Sequence, residues 1–336
     1  MTQASEVAIA MDWGGTWARA SVADRQGEIL WQARERNPQD GSRAELLEGA
    51  EGLLQQAIEW SRHRSIAGIG VAAAGPVDAE TGTLHDPPNL MALNGVSLKS
   101  LWEPTLGKPV FVGNDANLAA LGEFRYGAGL DAWRQGRTPR TLVYVTVSTG
   151  VGGGIVDRDQ MFLGAHGLAA EVGHMVIDWS PQATPCTCGN TGCLEALSSG
   201  GSIARMARRH VAEDGSSGSS LATEDIESLT SEQVFQAAEQ GDALAKNILE
   251  GVVQALSVGL TNLLHLYNPD LLVLGGGVTA GLTKLGLLTE INSRMLHRAM
   301  SERHKDFRLV ASQLGDNVGM VGAASLVWKE VGVGVA

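Results

Sequence analysis

The stretch V-A-I-A-M-D-W-G-G-T-W-A-R-A-S-V-A (residues 7–23) decides the architecture. An apolar run, 7–11, ends at Asp12; W-G-G-T follows, and 18–23 resumes an apolar–polar alternation. This order predicts strand, tight glycine turn, strand: a hairpin with an acid at its tip. The theme returns mid-chain, where 141–147 is β-rich, S-T-G-V-G-G-G (148–154) reads as a turn and 155–157 resumes the strand. Two such units predict an internal duplication. A third glycine turn, Gly275-Gly276-Gly277, follows the apolar strand 271–274.

Around these turns, strands alternate with helices. Strands are expected at 27–34, 66–73, 109–112 and 308–311, and helices at 42–61, 116–126, 202–211, 233–239, 243–266, 286–300 and 318–329. Alternation of this kind is α/β. Residues 127–140, with three arginines and a proline, read as a surface loop, and 213–220 as a flexible linker.

The chain has 336 residues, enough for two domains, and 44% hydrophobic with 18% charged residues is ordinary globular composition. Twenty-five basic against thirty-seven acidic residues leave a net charge of −12, which disfavours a sequence-independent grip on nucleic acid. The N-terminus lacks a basic region with an apolar core, and no apolar run reaches about 18 residues, so a cytoplasmic protein without a membrane span is expected.

All three cysteines, Cys186, Cys188 and Cys193, lie in C-T-C-G-N-T-G-C-L-E, just after E-V-G-H. An odd number makes no disulfide framework, whereas three sulfurs and His174 complete a tetrahedral structural zinc site. Glu171 and Glu195 frame the set; they are solvated surface acids or acceptors facing a polar pocket. The glycine turns present backbone N–H groups and admit close approach of a phosphate. Thr16 and Thr149 supply hydroxyl donors, and Asp12 suits a magnesium ion, directly or through water. In G-N-D-A-N (113–117), Asn114 or Asp115 caps the following helix. Asp115 is also the candidate general base, because the helix field would keep it ionised while it accepts a hydroxyl proton.

Together D-W-G-G-T, N-D-A-N, V-S-T-G-V-G-G-G-I, E-V-G-H, the cysteine cluster, L-V-L-G-G-G-V and the late L-G-D-N-V-G-M-V-G-A-A resemble the ROK family of bacterial sugar kinases and related repressors. The resemblance implies an actin-like ATPase (ribonuclease H-like) fold of two α/β domains flanking a central cleft. The expected division is 1–115, completed by the C-terminal helix 318–336, and 116–317. It also implies an ATP-dependent hexose 6-kinase, a glucokinase in the first instance, with ATP, Mg2+ and structural Zn2+, forming a homodimer or a dimer of dimers. Carried over by position, Asp115 is the catalytic base, and Asn89, Asn114, Glu171, His174 and Glu195 contact the sugar. Asp12 is the magnesium-associated acid, Gly14, Gly15, Thr16, Thr149 and Gly150 hold phosphates, and Gly275 and Gly276 lie near the adenosine. His174, Cys186, Cys188 and Cys193 match the zinc ligands.

Trp13 and Trp17 depart from the aliphatic and small or polar residues that similar proteins carry there. Only the first half of the loop P-N-L-P-G-W survives, as Pro88-Asn89-Leu90-Met91, which leaves open N-acetylglucosamine, N-acetylmannosamine or fructose as the sugar; separately, the sequence leaves open polyphosphate as the donor. Repressors of the family carry an N-terminal helix-turn-helix; a first strand at Val7 leaves no room for one, so a sugar-responsive regulator is the lesser expectation.

Overall fold

Strand β1 (Glu6–Trp13) turns through Gly14-Gly15-Thr16 into β2 (Trp17–Ala23), and β3 (Ile29–Arg36) continues the meander. This computed structural model describes residues 6–88, 90–214, 218–223 and 225–334. Helix α1 (Arg43–Trp60) opens on a capping box, with Ser42 accepting from the Glu45 amide and the Glu45 carboxylate accepting from the Ser42 amide. Then come β4 (Ser65–Ala73), a small hairpin of β5 (Val77–Asp78) and β6 (Thr83–Leu84), α2 (Leu98–Leu106), β7 (Val110–Asn114), α3 (Asp115–Tyr126) and α4 (Ala128–Arg134). The first sheet has the order β3-β2-β1-β4-β7, antiparallel through β3-β2-β1 and parallel onward.

The second half repeats the plan. Strands β8 (Thr141–Val147), β9 (Val151–Asp157), β10 (Gln160–Met161), β11 (Leu271–Gly275) and β12 (Arg308–Ala311) order as β10-β9-β8-β11-β12. Its helices are α5 (Leu194–Ser198), α6 (Gly200–Asp214), α7 (Ser231–Glu239), α8 (Ala243–Tyr267), α9 (Gly277–Lys284) and α10 (Leu287–Arg298), and α11 (Val318–Glu330) ends the described helices. Both sheets place the hairpin first and the parallel strands after it, so the duplication read from two glycine turns extends to whole-sheet topology. Helix α8 is long and apolar enough to cross a membrane, but two-thirds of its apolar window (67%) is buried against the protein.

Two units result: Met1–Arg140 with Gly154–Ala169 and Gln313–Ala336, and Thr141–Gly153 with Ala170–Ser312. The first extends past the expected boundary at 115 because α3 packs on α11. Their backbones nearly touch there, since a Cβ added at Gly122 would lie 2.9 Å from the Gly322 nitrogen. The first unit's core holds Trp13, Trp102, Leu53, Leu54, Ile69 and Val71, all nearly inaccessible.

Three expectations are corrected. Residues 127–140 are not wholly loop: Gly127 breaks α3, the buried Glu123 carboxylate accepts the Ala128 amide (2.9 Å), and α4 buries Ala128, Gly129 and Ala132. Small residues among polar ones hid that helix. Residues 151–154 are strand and not turn; glycine stands at 154 for packing, since an added Cβ there would sit 2.8 Å from the Asn117 Cα. Helices α2 and α9 lie where no helix was expected; α9 is eight residues long and carries two glycines, so its propensity signal is weak. Of the linker 213–220, residues 215–217 lie outside the described residues.

Gly322→Ala, whose new methyl would overlap the Leu118 carbonyl, should cost at least about 2 kcal/mol in urea unfolding. Gly251→Ala, on the exposed side of α8 with open space around it, should instead stabilise by about 0.5–1 kcal/mol. Similar small effects from both would show that α3 and α11 tolerate separation.

Candidate active site and metal cluster

In the first unit, Asp12, one residue before the end of β1, lies directly opposite Arg19 on β2, and the Arg19 guanidinium bonds its Oδ2. Arg19 also donates to the Asp316 carbonyl (2.7 Å) at the approach to α11. Asp12 is buried, and burial pushes its carboxyl above the usual range while Arg19 pulls it down. At Gly319 any side chain would collide with the Asp12 carboxylate. Beside Asp12, the turn Gly14-Gly15-Thr16 is held by Asn37, whose Nδ2 donates to the Gly14 (2.7 Å) and Gly15 (2.9 Å) carbonyls while its amide donates to that of Thr16 (2.9 Å). Trp13 buries its ring against Trp102, centroids 5.9 Å apart, and donates to Asn37 Oδ1 (3.2 Å). Trp17 is partly exposed and carries the Arg34 guanidinium 4.8 Å above its ring.

At β7 the chain passes into α3 through Asn114, which resolves the capping alternative. Asn114 is the N-cap; its Oδ1 accepts from the Ala116 (3.0 Å) and Asn117 (3.1 Å) amides, and its Nδ2 donates to the Gly75 carbonyl (3.1 Å). Asp115 is the first helical residue, half-buried, in the positive field of the helix start. Asn89 lies outside the described residues.

The second unit brings together the metal-ligand set. One ligand atom from each of His174, Cys186, Cys188 and Cys193 lies within 4.8 Å of all the others. Cys188 Sγ and Cys193 Sγ are 3.8 Å apart, and Cys186 Sγ lies 3.9 Å from His174 Nδ1. A tetrahedron with Zn–S bonds of about 2.3 Å has edges of about 3.8 Å, so the donor set fits zinc. Without a metal, burial raises the Cys193 thiol to about 12, while the Asn190 amide lowers Cys188. Bridges Val176–Cys193 and Pro185–Thr191 fix the knuckle.

Glu171 is exposed and immediately precedes the short turn Val172–His174, whose last amide donates back to the Glu171 carbonyl (3.0 Å). Glu195, in the first turn of α5, reaches out of the knuckle: Oε2 accepts from the Val151 amide (2.9 Å) and Oε1 from Thr187 Oγ1 (3.2 Å). It therefore ties the cysteine knuckle to the turn holding Thr149 and Gly150. The start of α6 is tied to the same turn, with the Gly200 amide donating to the Ser148 carbonyl (2.7 Å).

A cavity of about 290 Å3 opens between the starts of α6 and α9, lined by Thr149, Gly200, Gly201, Arg208, Ser231 and Gly277. Gly275 ends β11, and Gly276, at φ +87°, is the N-cap of α9 beside this cavity. The sequence reading passed over Gly200-Gly201, Arg208, Ser231, Arg19 and Asn37. Gly200-Gly201 at a helix start carried a visible signal, the pairing of glycines after serines; Asn37, 21 residues beyond Thr16, carried none.

Residues 8–330 match the profile of the ROK family. A glucokinase of Thermotoga maritima is 32% identical over 96% of this chain and 98% of its own length. A putative xylose repressor of Caldicellulosiruptor is 30% identical over 96% of this chain and 78% of its own. Among solved structures, a ROK family glucokinase from Streptomyces griseus, in complex with glucose and AMPPNP, superposes with a TM-score of 0.76 at 30% identity, covering 95% of this chain and 98% of that one. The repeated sheets, the turns after β1 and β8 and the cysteine knuckle thus have one common explanation: the chain belongs to the ROK family and has its actin-like ATPase fold.

Proposed function

We propose that the chain is an ATP-dependent kinase that phosphorylates the 6-hydroxyl of a hexose, with glucose as the sugar. One observation carries the mechanism: Asn114 is the N-cap of α3 and Asp115 its first residue, with Asp115 Oδ1 accepting the Ala116 amide (2.8 Å) at the positive end of the helix. Held ionised by the helix field, Asp115 accepts the proton of the sugar hydroxyl as that oxygen bonds to the γ-phosphorus and the bond to the β-phosphate oxygen breaks, releasing ADP. Similarity to glucokinases over nearly the whole chain supports this reading.

Asn89, Asn114, Glu171, His174 and Glu195 hold the sugar hydroxyls. Glu195 keeps lone pairs beyond those engaged by Val151 and Thr187. Gly14, Gly15, Thr16, Thr149 and Gly150 hold phosphates, and the cavity between α6 and α9 takes the nucleoside beside Gly275 and Gly276. Asp12 is the residue for Mg2+, which neutralises phosphate charge when bound. Arg19 already bonds Oδ2 of Asp12, so Mg2+ would share this carboxylate with a guanidinium. Zinc held by His174, Cys186, Cys188 and Cys193 does no chemistry; it fixes the ring of His174 and the start of α5. A cytoplasmic homodimer completes the reading.

Turnover of ATP with glucose, N-acetylglucosamine, N-acetylmannosamine, mannose and fructose tests the proposal directly. Phosphorylation of none of them rejects it, while a clear preference for another sugar moves the substrate and leaves the class. Asp115→Asn should lower kcat by about 10²–10⁴-fold with glucose affinity nearly unchanged; equal loss of binding would mark a structural role instead. Metal binding deprotonates the thiols, so chelator-driven loss of zinc should speed up as pH falls from 8 to 6. Thermal stability and glucose affinity should then fall together, and a zinc-free protein with unchanged glucose affinity would disconnect the knuckle from the sugar.

A further inference from the structure

The register of the first sheet gathers cations on one face beside the turn Gly14-Gly15-Thr16. Directly paired residues of neighbouring strands share a face, as do residues two apart on one strand. Asp12 pairs with Arg19, Arg19 with Arg34, and Trp17 with Arg36, so these five side chains stand on the same face. Trp13 and Ala18 belong to the core on the other face. Glu35 also points that way, its carboxylate 3.5 Å from where a Cβ on Gly49 of α1 would lie.

Three guanidiniums thus stand side by side in a chain whose net charge is −12. Like charges directly opposite one another across two strands repel. Arg19 is neutralised by Asp12 and anchored on the Asp316 carbonyl. Arg34 has neither kind of partner. It is exposed, makes no hydrogen bond or ion pair among the described residues, and lies over the ring of Trp17, 4.8 Å from its centre. Arg36 is exposed and unpaired among the described residues in the same way. Trp17 follows Thr16 directly, and its carbonyl accepts the Gly14 amide (3.1 Å), so the ring that carries Arg34 is part of the turn's own frame. Stacking on an aromatic ring orders a guanidinium in advance and leaves its N–H fork for an anion.

We propose that Arg34, seated on Trp17, binds the terminal phosphate of the phosphoryl donor, with Arg36 adding to the local positive field. The planar fork matches two oxygens of one phosphate group. Naming the anion as a phosphoryl donor rests on the kinase reading; the unneutralised cationic face does not. A nucleoside triphosphate and an inorganic polyphosphate chain both present such a terminal phosphate.

Titration calorimetry of the full chain, with Mg2+ and saturating glucose, tests the proposal with a non-hydrolysable ATP analogue, ADP and inorganic tripolyphosphate as probes. Arg34→Gln should weaken the analogue by at least about tenfold and ADP by less than about twofold, because ADP lacks the group that Arg34 reads. Trp17→Leu, which removes the platform and keeps the charge, should give a smaller loss with the same pattern. Both side chains are exposed, so Tm should stay unchanged. Tripolyphosphate binding that also falls with Arg34→Gln would make polyphosphate chains a second source of the anion; no tripolyphosphate binding would leave the nucleotide as its source. Equal losses for the analogue and ADP, or an analogue affinity unmoved by Arg34→Gln, overturn the proposal. A chain that phosphorylates no sugar yet binds the analogue through Arg34 would refute the kinase reading and keep this phosphate contact.

Discussion

The first unit depends on the close seating of α11. Its backbone lies against the first sheet and α3 with almost no side chain between. A methyl at Gly70 of β4 would overlap the Ala323 carbonyl of α11, and one at Gly322 would overlap the Leu118 carbonyl of α3. Direct backbone approach of this kind leaves little freedom for sliding, because packed interiors have no spare volume to absorb it. The same seating positions Asp12: Gly319 clears space for its carboxylate, and the Asp316 carbonyl anchors the Arg19 that bonds it. The surroundings of Asp12, early in the chain, are thus finished by residues 316–319.

In the second unit, a carboxylate performs the equivalent joining task. Glu195 belongs to the cysteine knuckle in sequence, yet its bond to the Val151 amide pins the turn between β8 and β9. The cysteine–histidine cluster is therefore continuous with the glycine turn through one charged hydrogen bond, of the kind worth roughly 1.5–3 kcal/mol. Disturbing the knuckle disturbs the turn, even though no ligand residue lies within it.

The legible part of the fold was the part with a period or a punctuation mark. The hairpin around Gly14-Gly15, the apolar stretch of α8 and the cysteine spacing could be read because alternation, helical periodicity and ligand chemistry are local. The acid at the hairpin tip, Asp12, was readable, but its Arg19 partner was not, since cross-strand register follows from a turn length that two glycines do not specify. Trp13 departs from the aliphatic residue of similar proteins, and Trp102, from the unexpected helix α2, supplies the surface it packs on. The 127–140 segment was misread because Glu123, the residue that supports α4, lies in the preceding helix. G-N-D-A-N marked a helix start with two candidate caps, and only coordinates could show that Asn114 is the N-cap.

Seating α11 last also has a consequence for biosynthesis. Strand β7 leaves the ribosome more than two hundred residues before α11, so at ~5–20 residues per second the first sheet waits roughly 10–45 s for the helix that covers it. During that interval the face of β1 and β4 on which α11 packs has no native cover, and the second sheet gains its last strand, β12, only a few residues before α11. Nascent chains stalled before codon 318 should therefore be the ones that engage chaperones, and release of the last turns of α11 is what ends their exposure.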